Sequence, residues 1–150
     1  ARLFALVNLA VTDATTSAFE AKYFYHFWRP VTAIRDAATD GNSDTSADPS
    51  WTPFLVTPPH PEYPSAHSVI QGAAVQVLES VLGQHHAFST TSASVPGVTR
   101  TFDDFHAYEI DGELARIYGG IHVRTAVEEG ARQGKKIGKW ILEETMLPLR

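Results

Sequence analysis

Ala126, Gly130, Gly134 and Gly138 recur every four residues near the C-terminal end of the sequence. That spacing puts all four on one face of a helix, and a face without side chains lets a second backbone come close. Membrane helices dimerise through similar stripes, but here Glu128, Glu129, Arg132, Lys135, Lys136 and Lys139 are interleaved with it. The stripe therefore predicts tight helix packing in a bundle that faces water. Ile137, Trp140, Ile141 and Leu142 bury the remainder of this last helix.

Helical periodicity dominates elsewhere. Leu3, Leu6, Val7, Ala10, Ala14 and Ala18 begin one long helix, or two joined near Thr12-Asp13, that runs through the aromatic block Tyr23, Phe24, Tyr25, Phe27 and Trp28 to Arg29-Pro30. Val31–Ala38 reads as a short helix opened by Pro30. Residues 39–64 form a long loop anchored by Trp51, Phe54, Leu55 and Val56. Val69, Ile70, Ala73, Ala74, Val77, Leu78, Val81 and Leu82 trace a helix over about 66–82, closed by Gly83. A second loop fills 83–101, then a helix spans about 102–117 and the last begins near Ile121. No strand-like alternation stands out, so the fold class is all-α, a helical bundle with long ordered loops.

Composition narrows the function. The 150 residues suffice for one domain with a core, and 43% hydrophobic with 19% charged residues is a globular balance. A net charge of −5 without a basic tract argues against nucleic acid as a partner, and no apolar run is long enough to span a membrane. Without cysteine there are no disulfides, thiolate metal sites or thiol nucleophile. The compartment stays open, secretion included. The chain starts at Ala1 with helical sequence already under way. It reads as a single catalytic helical domain over 1–150, the C-terminal part of a longer polypeptide.

Three short segments carry chemistry. Pro58-Pro59-His60-Pro61-Glu62-Tyr63-Pro64-Ser65-Ala66-His67 delivers a rigid extended approach into a helix start. Ser65 is then an N-cap, and the free amides that follow favour an anion. The plainer reading is a cap with an incidental histidine. Lys22 and Arg29 are seven apart, two helical turns, so on one helix they share a face with His26 between them. The plainer reading is two surface cations lying along apolar neighbours. Arg116 and His122 are six apart, and Gly119-Gly120 between them permits a break that turns His122 back towards Arg116. The plainer reading is a helix–helix turn with a buried histidine. Gln84-His85-His86 reads as surface, and the stretch from Asp40 to Asp44 only faintly matches a calcium loop because Trp51 stands at its twelfth position.

Taken together, Lys22-x6-Arg29-Pro30, Pro64-Ser65-Ala66-His67 and Arg116-x5-His122 resemble the three-part signature of the type 2 phosphatidic acid phosphatase and vanadium haloperoxidase superfamily. The resemblance covers about Ala14 to Gly138. It looks closest to the soluble bacterial haloperoxidase-like branch, through the block from Lys22 to Pro30, the Trp51 loop and the stretch from Pro58 to His67. The resemblance implies that Lys22, Arg29 and Arg116 bind the oxygens of vanadate or phosphate. It implies that Ser65 and the Ala66 amide bind equatorial oxygens. His122 becomes the axial ligand of vanadium or the nucleophile that forms phosphohistidine, and His67 the acid–base group opposite it. His60 and Phe19 become candidate wall residues for halide or substrate. Bromide-using algal members carry a histidine where His60 stands and the fungal chloroperoxidase type carries phenylalanine, which hints at bromide or iodide over chloride.

The chemistry of the residue types agrees with this division. A trigonal bipyramidal oxyanion spreads charge over equatorial oxygens, which three cations and a helix N-terminus match. In-line transfer needs groups at both apices, which two histidines supply. Three positions depart from the family pattern. Ala66 replaces a glycine and is compatible only with negative φ. Ala126 stands where an acid usually orients the second histidine, leaving Glu128, Glu109 or a backbone carbonyl to do so. Ala115 replaces a serine. The expected activity is a vanadate-dependent haloperoxidase using hydrogen peroxide and halide. An acid phosphatase acting on a small phosphate ester is the alternative, and a non-catalytic oxyanion-binding remnant the third reading. A homo-oligomer is compatible with each.

Overall fold

The computed structural model describes residues 1–147. Among the described residues there are five α-helices: α1 (Arg2–Tyr25), α2 (Pro30–Arg35), α3 (Ala66–Leu82), α4 (Phe105–Tyr118) and α5 (Arg124–Glu144). The bundle is formed by α1, α3, α4 and α5, while α2 and the 3-10 turn at Ala37–Thr39 lie in the connection between α1 and α3. The central element is α3, which packs against α1, α4 and α5.

The glycine stripe explains the closest of these contacts. A Cβ placed on Gly130, Gly134 or Gly138 would meet the carbonyl oxygens of Ser65, Val69 and Ala73 at 2.8, 2.1 and 2.7 Å. From the other side, a Cβ on Gly72 would meet the Ala131 carbonyl oxygen at 2.7 Å. The two helices thus lie backbone to backbone, which fixes the start of α3 over the first turns of α5. On its opposite flank, α3 buries Val69, Ala73 and Val77 against Leu6, Ala10, Ala14 and Ala18 of α1. The same four-residue spacing continues on α1 to Lys22, which is fully buried.

Several local expectations are corrected. The first helix is a single rod that stops at Tyr25, where His26 takes a left-handed φ of 53° and its N–H bonds the Lys22 carbonyl. Arg29 therefore does not share a helix with Lys22. It is extended (φ −68°, ψ 154°) and caps α2, because a residue before proline is pushed out of the α region. His26 and the aromatic block Tyr23–Trp28 are exposed. The segment read as a second loop contains an antiparallel hairpin of β1 (Phe88–Ser92) and β2 (Val95–Phe102), with Phe88 opposite Phe102. Its last residue, Phe102, packs with Phe88 and Tyr108, and Phe88 packs in turn with Phe105 at the start of α4.

The 39–64 loop is held by fewer anchors than its apolar residues suggested. Leu55 packs on Gly119 and its N–H bonds the Gly119 carbonyl, while Trp51 and Pro53 lie against Gly120. Phe54 and Val56 are exposed instead. Among the described residues, no helix is long and apolar enough to cross a membrane.

Candidate functional site

Three chain segments meet at the N-terminal end of α3. The Pro-rich approach brings Ser65 to the N-cap, where its N–H bonds the Ala126 carbonyl at 2.9 Å. Ser65 Oγ accepts from the Ser68 N–H and hydroxyl at 3.4 and 3.0 Å. Both bonds use the oxygen as acceptor, so the Ser65 hydroxyl proton is free to be given elsewhere. Such a cap is worth about 1 kcal/mol to the helix. Ala66 opens the helix without the positive φ that would require glycine. His67, in the first turn, lines a cavity of about 500 Å³ between α3, β1 and α4.

The third segment enters from α4. This helix ends at Tyr118, Gly120 adopts φ 71°, and His122 is carried back into the interior, 5% exposed. The chain breaks at the Gly-Gly pair and carries His122 to Arg29 and Glu62, and α5 begins at Arg124 rather than Ile121.

Lys22, Arg29, His60 and His122 converge directly. Arg29 Nη1 donates to His122 Nε2 at 3.0 Å and to the Ile121 carbonyl at 2.8 Å. Its Nε donates to the His60 carbonyl at 2.8 Å and its Nη2 to His60 Nδ1 at 3.0 Å. Phe19 packs on the His60 ring with centroids 5.1 Å apart. Lys22 Nζ donates to the carbonyls of Pro61 and Glu62 at 2.8 and 3.0 Å. Arg116 lies in the last turn of α4, with its Nε buried and without a hydrogen-bond partner among the described residues.

A guanidinium has no acceptor, so His122 Nε2 must present its lone pair to Arg29. Its proton then sits on Nδ1, which donates to Glu62 Oε1 at 2.8 Å. Glu62 is 2% exposed and also accepts from the Val123 N–H at 2.9 Å. This corrects the expectation that Glu128, Glu109 or a backbone carbonyl orients His122. Glu128 is exposed and lies opposite Arg124, and Glu109 pairs with Lys135 at 2.7 Å. Glu62 escaped notice because it sits 60 residues from His122, inside a stretch whose prolines drew attention to backbone shape.

The electrostatics tie the remaining groups to this cluster. Burial and the charge of Arg29 hold Lys22 down at about 7, partly offset by Glu62. Burial lowers Arg29, which feels Glu62 and then Arg116, and burial lowers Arg116. Burial also lowers His60, His67 and His122, with Arg116 adding to the effect at His67. His60 and His122 therefore stand beside Lys22 and Arg29, and His67 near Arg116, with Arg29 repelled by Arg116 and itself lowering Lys22, a field that an oxyanion would relieve. The residues fit such an anion on two observations. Arg116 Nε is a buried donor without a partner, and His122 Nε2 is held as a lone-pair donor. Among the described residues, no group of three His, Cys, Asp or Glu is placed to hold a metal ion by itself.

Known proteins resemble this chain in sequence and fold. A family model described as the VCPO second helical-bundle domain matches residues 2–149. A vanadium chloroperoxidase from Curvularia inaequalis is 40% identical over 90 residues, 52% of this chain and 14% of that protein. The solved structure described as the first bacterial vanadium-dependent iodoperoxidase superposes with a TM-score of 0.84 at 35% identity, covering 94% of this chain and 32% of that one. The holo form of a bacterial vanadium-dependent chloroperoxidase gives a TM-score of 0.72 at 22% identity, over 92% and 34% of the two chains, a likeness of fold alone. The chain spans about a third of the length of these solved relatives and a seventh of the fungal one.

Proposed function

Because the chain belongs to the family of VCPO second helical-bundle domains, and so to the vanadium haloperoxidases, we propose that it carries the vanadate site of a haloperoxidase that oxidises halide with hydrogen peroxide. The observation that carries this reading is His122, buried with Nε2 turned towards the Arg29 guanidinium and Nδ1 committed to a carboxylate. That tautomer would leave Nε2 as the nitrogen that could ligate vanadate.

In this reading Lys22, Arg29 and Arg116 hold the vanadate oxygens, with Ser65 and the Ala66 amide on the remaining ones. Bound there, vanadate supplies a Lewis acid that activates hydrogen peroxide towards halide. Arg116 Nε would there find the partner it lacks, and Arg29 would exchange its bond to His122 for a charge-assisted one to an oxyanion. Halide oxidation by hydrogen peroxide consumes one proton for each hypohalous acid formed. His67, neutral and at a helix start beside Arg116, handles that proton. His60 and Phe19 wall the halide approach. His60, at the position where bromide-using members of the family carry histidine, favours iodide and bromide over chloride.

The test uses the intact polypeptide loaded with orthovanadate. Peroxide-dependent oxidation of iodide or bromide is expected, well above hydrolysis of a phosphate monoester by the vanadate-free protein. Phosphate-ester hydrolysis without halide oxidation would transfer the site to the phosphatase chemistry. Neither activity with vanadate bound would leave the non-catalytic reading.

The position of Lys22 gives a pH dependence. A lysine held near 7 is charged below that pH and loses its proton as pH rises through it. Its help to anion binding is therefore greatest in mildly acidic solution. The ratio of phosphate Kd values for Lys22→Met and wild type is expected to be largest at pH 6 and to shrink towards pH 8.5. Taking the ratio cancels the ionisation of phosphate itself. A ratio that is flat or rises with pH would contradict the depressed lysine.

A further inference from the structure

A buried carboxylate beside an oxyanion site is electrostatically misplaced. It repels the ligand that the neighbouring cations attract. Glu62 is nevertheless fixed there from every side. Its N–H donates to the Phe27 carbonyl at 3.0 Å, and its own carbonyl accepts from Lys22 Nζ. Its Oε1 accepts from both the Val123 N–H and His122 Nδ1. Backbone and side chain are thus tied to α1, to the segment before α2 and to the segment before α5. We propose that Glu62 is the positioning residue for the reaction, locking His122 with its proton on Nδ1 so that the Nε2 lone pair faces the oxyanion. The proposal rests on the oxyanion reading above.

This role and a charge-balancing role predict opposite signs. If Glu62 only offset the charges of Lys22 and Arg29, neutralising it would make the site more cationic, and vanadate and phosphate would both bind more tightly. If it positions His122, the two anions separate. Vanadate needs a bond from Nε2, whereas phosphate binds through the cations and the helix start alone. Losing such an outer partner of a metal-ligating histidine costs about 10–100-fold in affinity.

The test compares inorganic vanadate and inorganic phosphate on the intact polypeptide, wild type against Glu62→Gln. The expected result is vanadate affinity lowered about 10–100-fold with phosphate binding no weaker. Glu62→Asp, which keeps the charge on a shorter arm, should recover part of the vanadate affinity. It also carries the comparison should Glu62→Gln not fold. In the vanadate-free protein, imidazole shifts should report His122 protonated at Nδ1 in wild type, and the Nδ1–H proton signal should move upfield in Glu62→Gln, where the charged acceptor is lost while Arg29 still faces Nε2. Equal factors for the two anions, or an unchanged His122 spectrum, would overturn the positioning role. If His122→Ala binds vanadate as tightly as wild type, the oxyanion reading itself fails, whatever the spectrum shows.

Discussion

Replacing His122 by alanine is expected to lower vanadate-dependent halide oxidation at least about 100-fold, because removing even an outer partner of a metal ligand costs 10–100-fold and this change removes the proposed ligand itself. The loss should appear both as weaker vanadate binding and as lower turnover at saturating vanadate. Ester hydrolysis through a phosphohistidine would vanish in the same variant, since the nucleophile is gone. A non-catalytic remnant predicts no change in whatever activity is measured. The fold should survive. The substitution leaves Glu62 with the Val123 N–H as a partner, so the stability cost is about 1–3 kcal/mol, read as a modest fall in Tm.

Gly134→Ala is expected to destabilise the protein by about 3 kcal/mol, the upper range for forcing volume into a packed interior. In an exposed helix the same change would be favourable by about 0.5–1 kcal/mol, because alanine restricts the unfolded chain. The sign reverses here because the added Cβ would lie 2.1 Å from the Val69 carbonyl oxygen and 2.8 Å from the Ala73 nitrogen. Both are backbone atoms of α3, so one helix must move away from the other. Gly112→Ala is the control. There the new carbon meets the end of the Gln71 side chain, which can swing aside at the cost of its bond to the Tyr108 carbonyl. That loss is about 1 kcal/mol and roughly cancels the gain in helix propensity. Denaturant midpoints of the two variants measure the contrast. Equal effects would show that α3 and α5 are not in backbone contact.

The glycine contact matters for function because it holds the start of α3 against α5. A shift there moves Ser65, whose N–H is bonded to Ala126, and with it the helix start proposed to meet the oxyanion. Gly134→Ala should therefore weaken phosphate binding in the fraction of molecules that remains folded.

Some of this was legible in the sequence because it depends on local rules. Proline and serine set the start of α3, paired glycines break the chain before His122, and a four-residue repeat of small residues marks a close helix contact. The departures have physical causes. Arg29 lies outside the first helix because the chain leaves it at His26, and Pro30 then holds Arg29 extended, neither of which the two-turn spacing from Lys22 reveals. The β1–β2 hairpin shows no alternation since nearly all of β2 is exposed on both faces. A strand that buries neither face has no period to read. Phe54 and Val56 are apolar yet exposed, so composition misjudged which residues anchor the loop. Glu62 could not be paired with His122 from spacing, because the fold alone brings the Pro-rich approach beside the turn after α4. The missing acid at Ala126 was the one signal that a partner had to come from elsewhere.

The most direct test of the proposed convergence is a crystal structure of the intact polypeptide grown with orthovanadate. The expected result is vanadate bonded to His122 Nε2, with Lys22, Arg29, Ser65 and Arg116 all within hydrogen-bond distance of its oxygens and the His122–Glu62 bond retained. Vanadate bound elsewhere, or His122 still hydrogen-bonded to Arg29 while vanadate sits apart from Arg116, would contradict it.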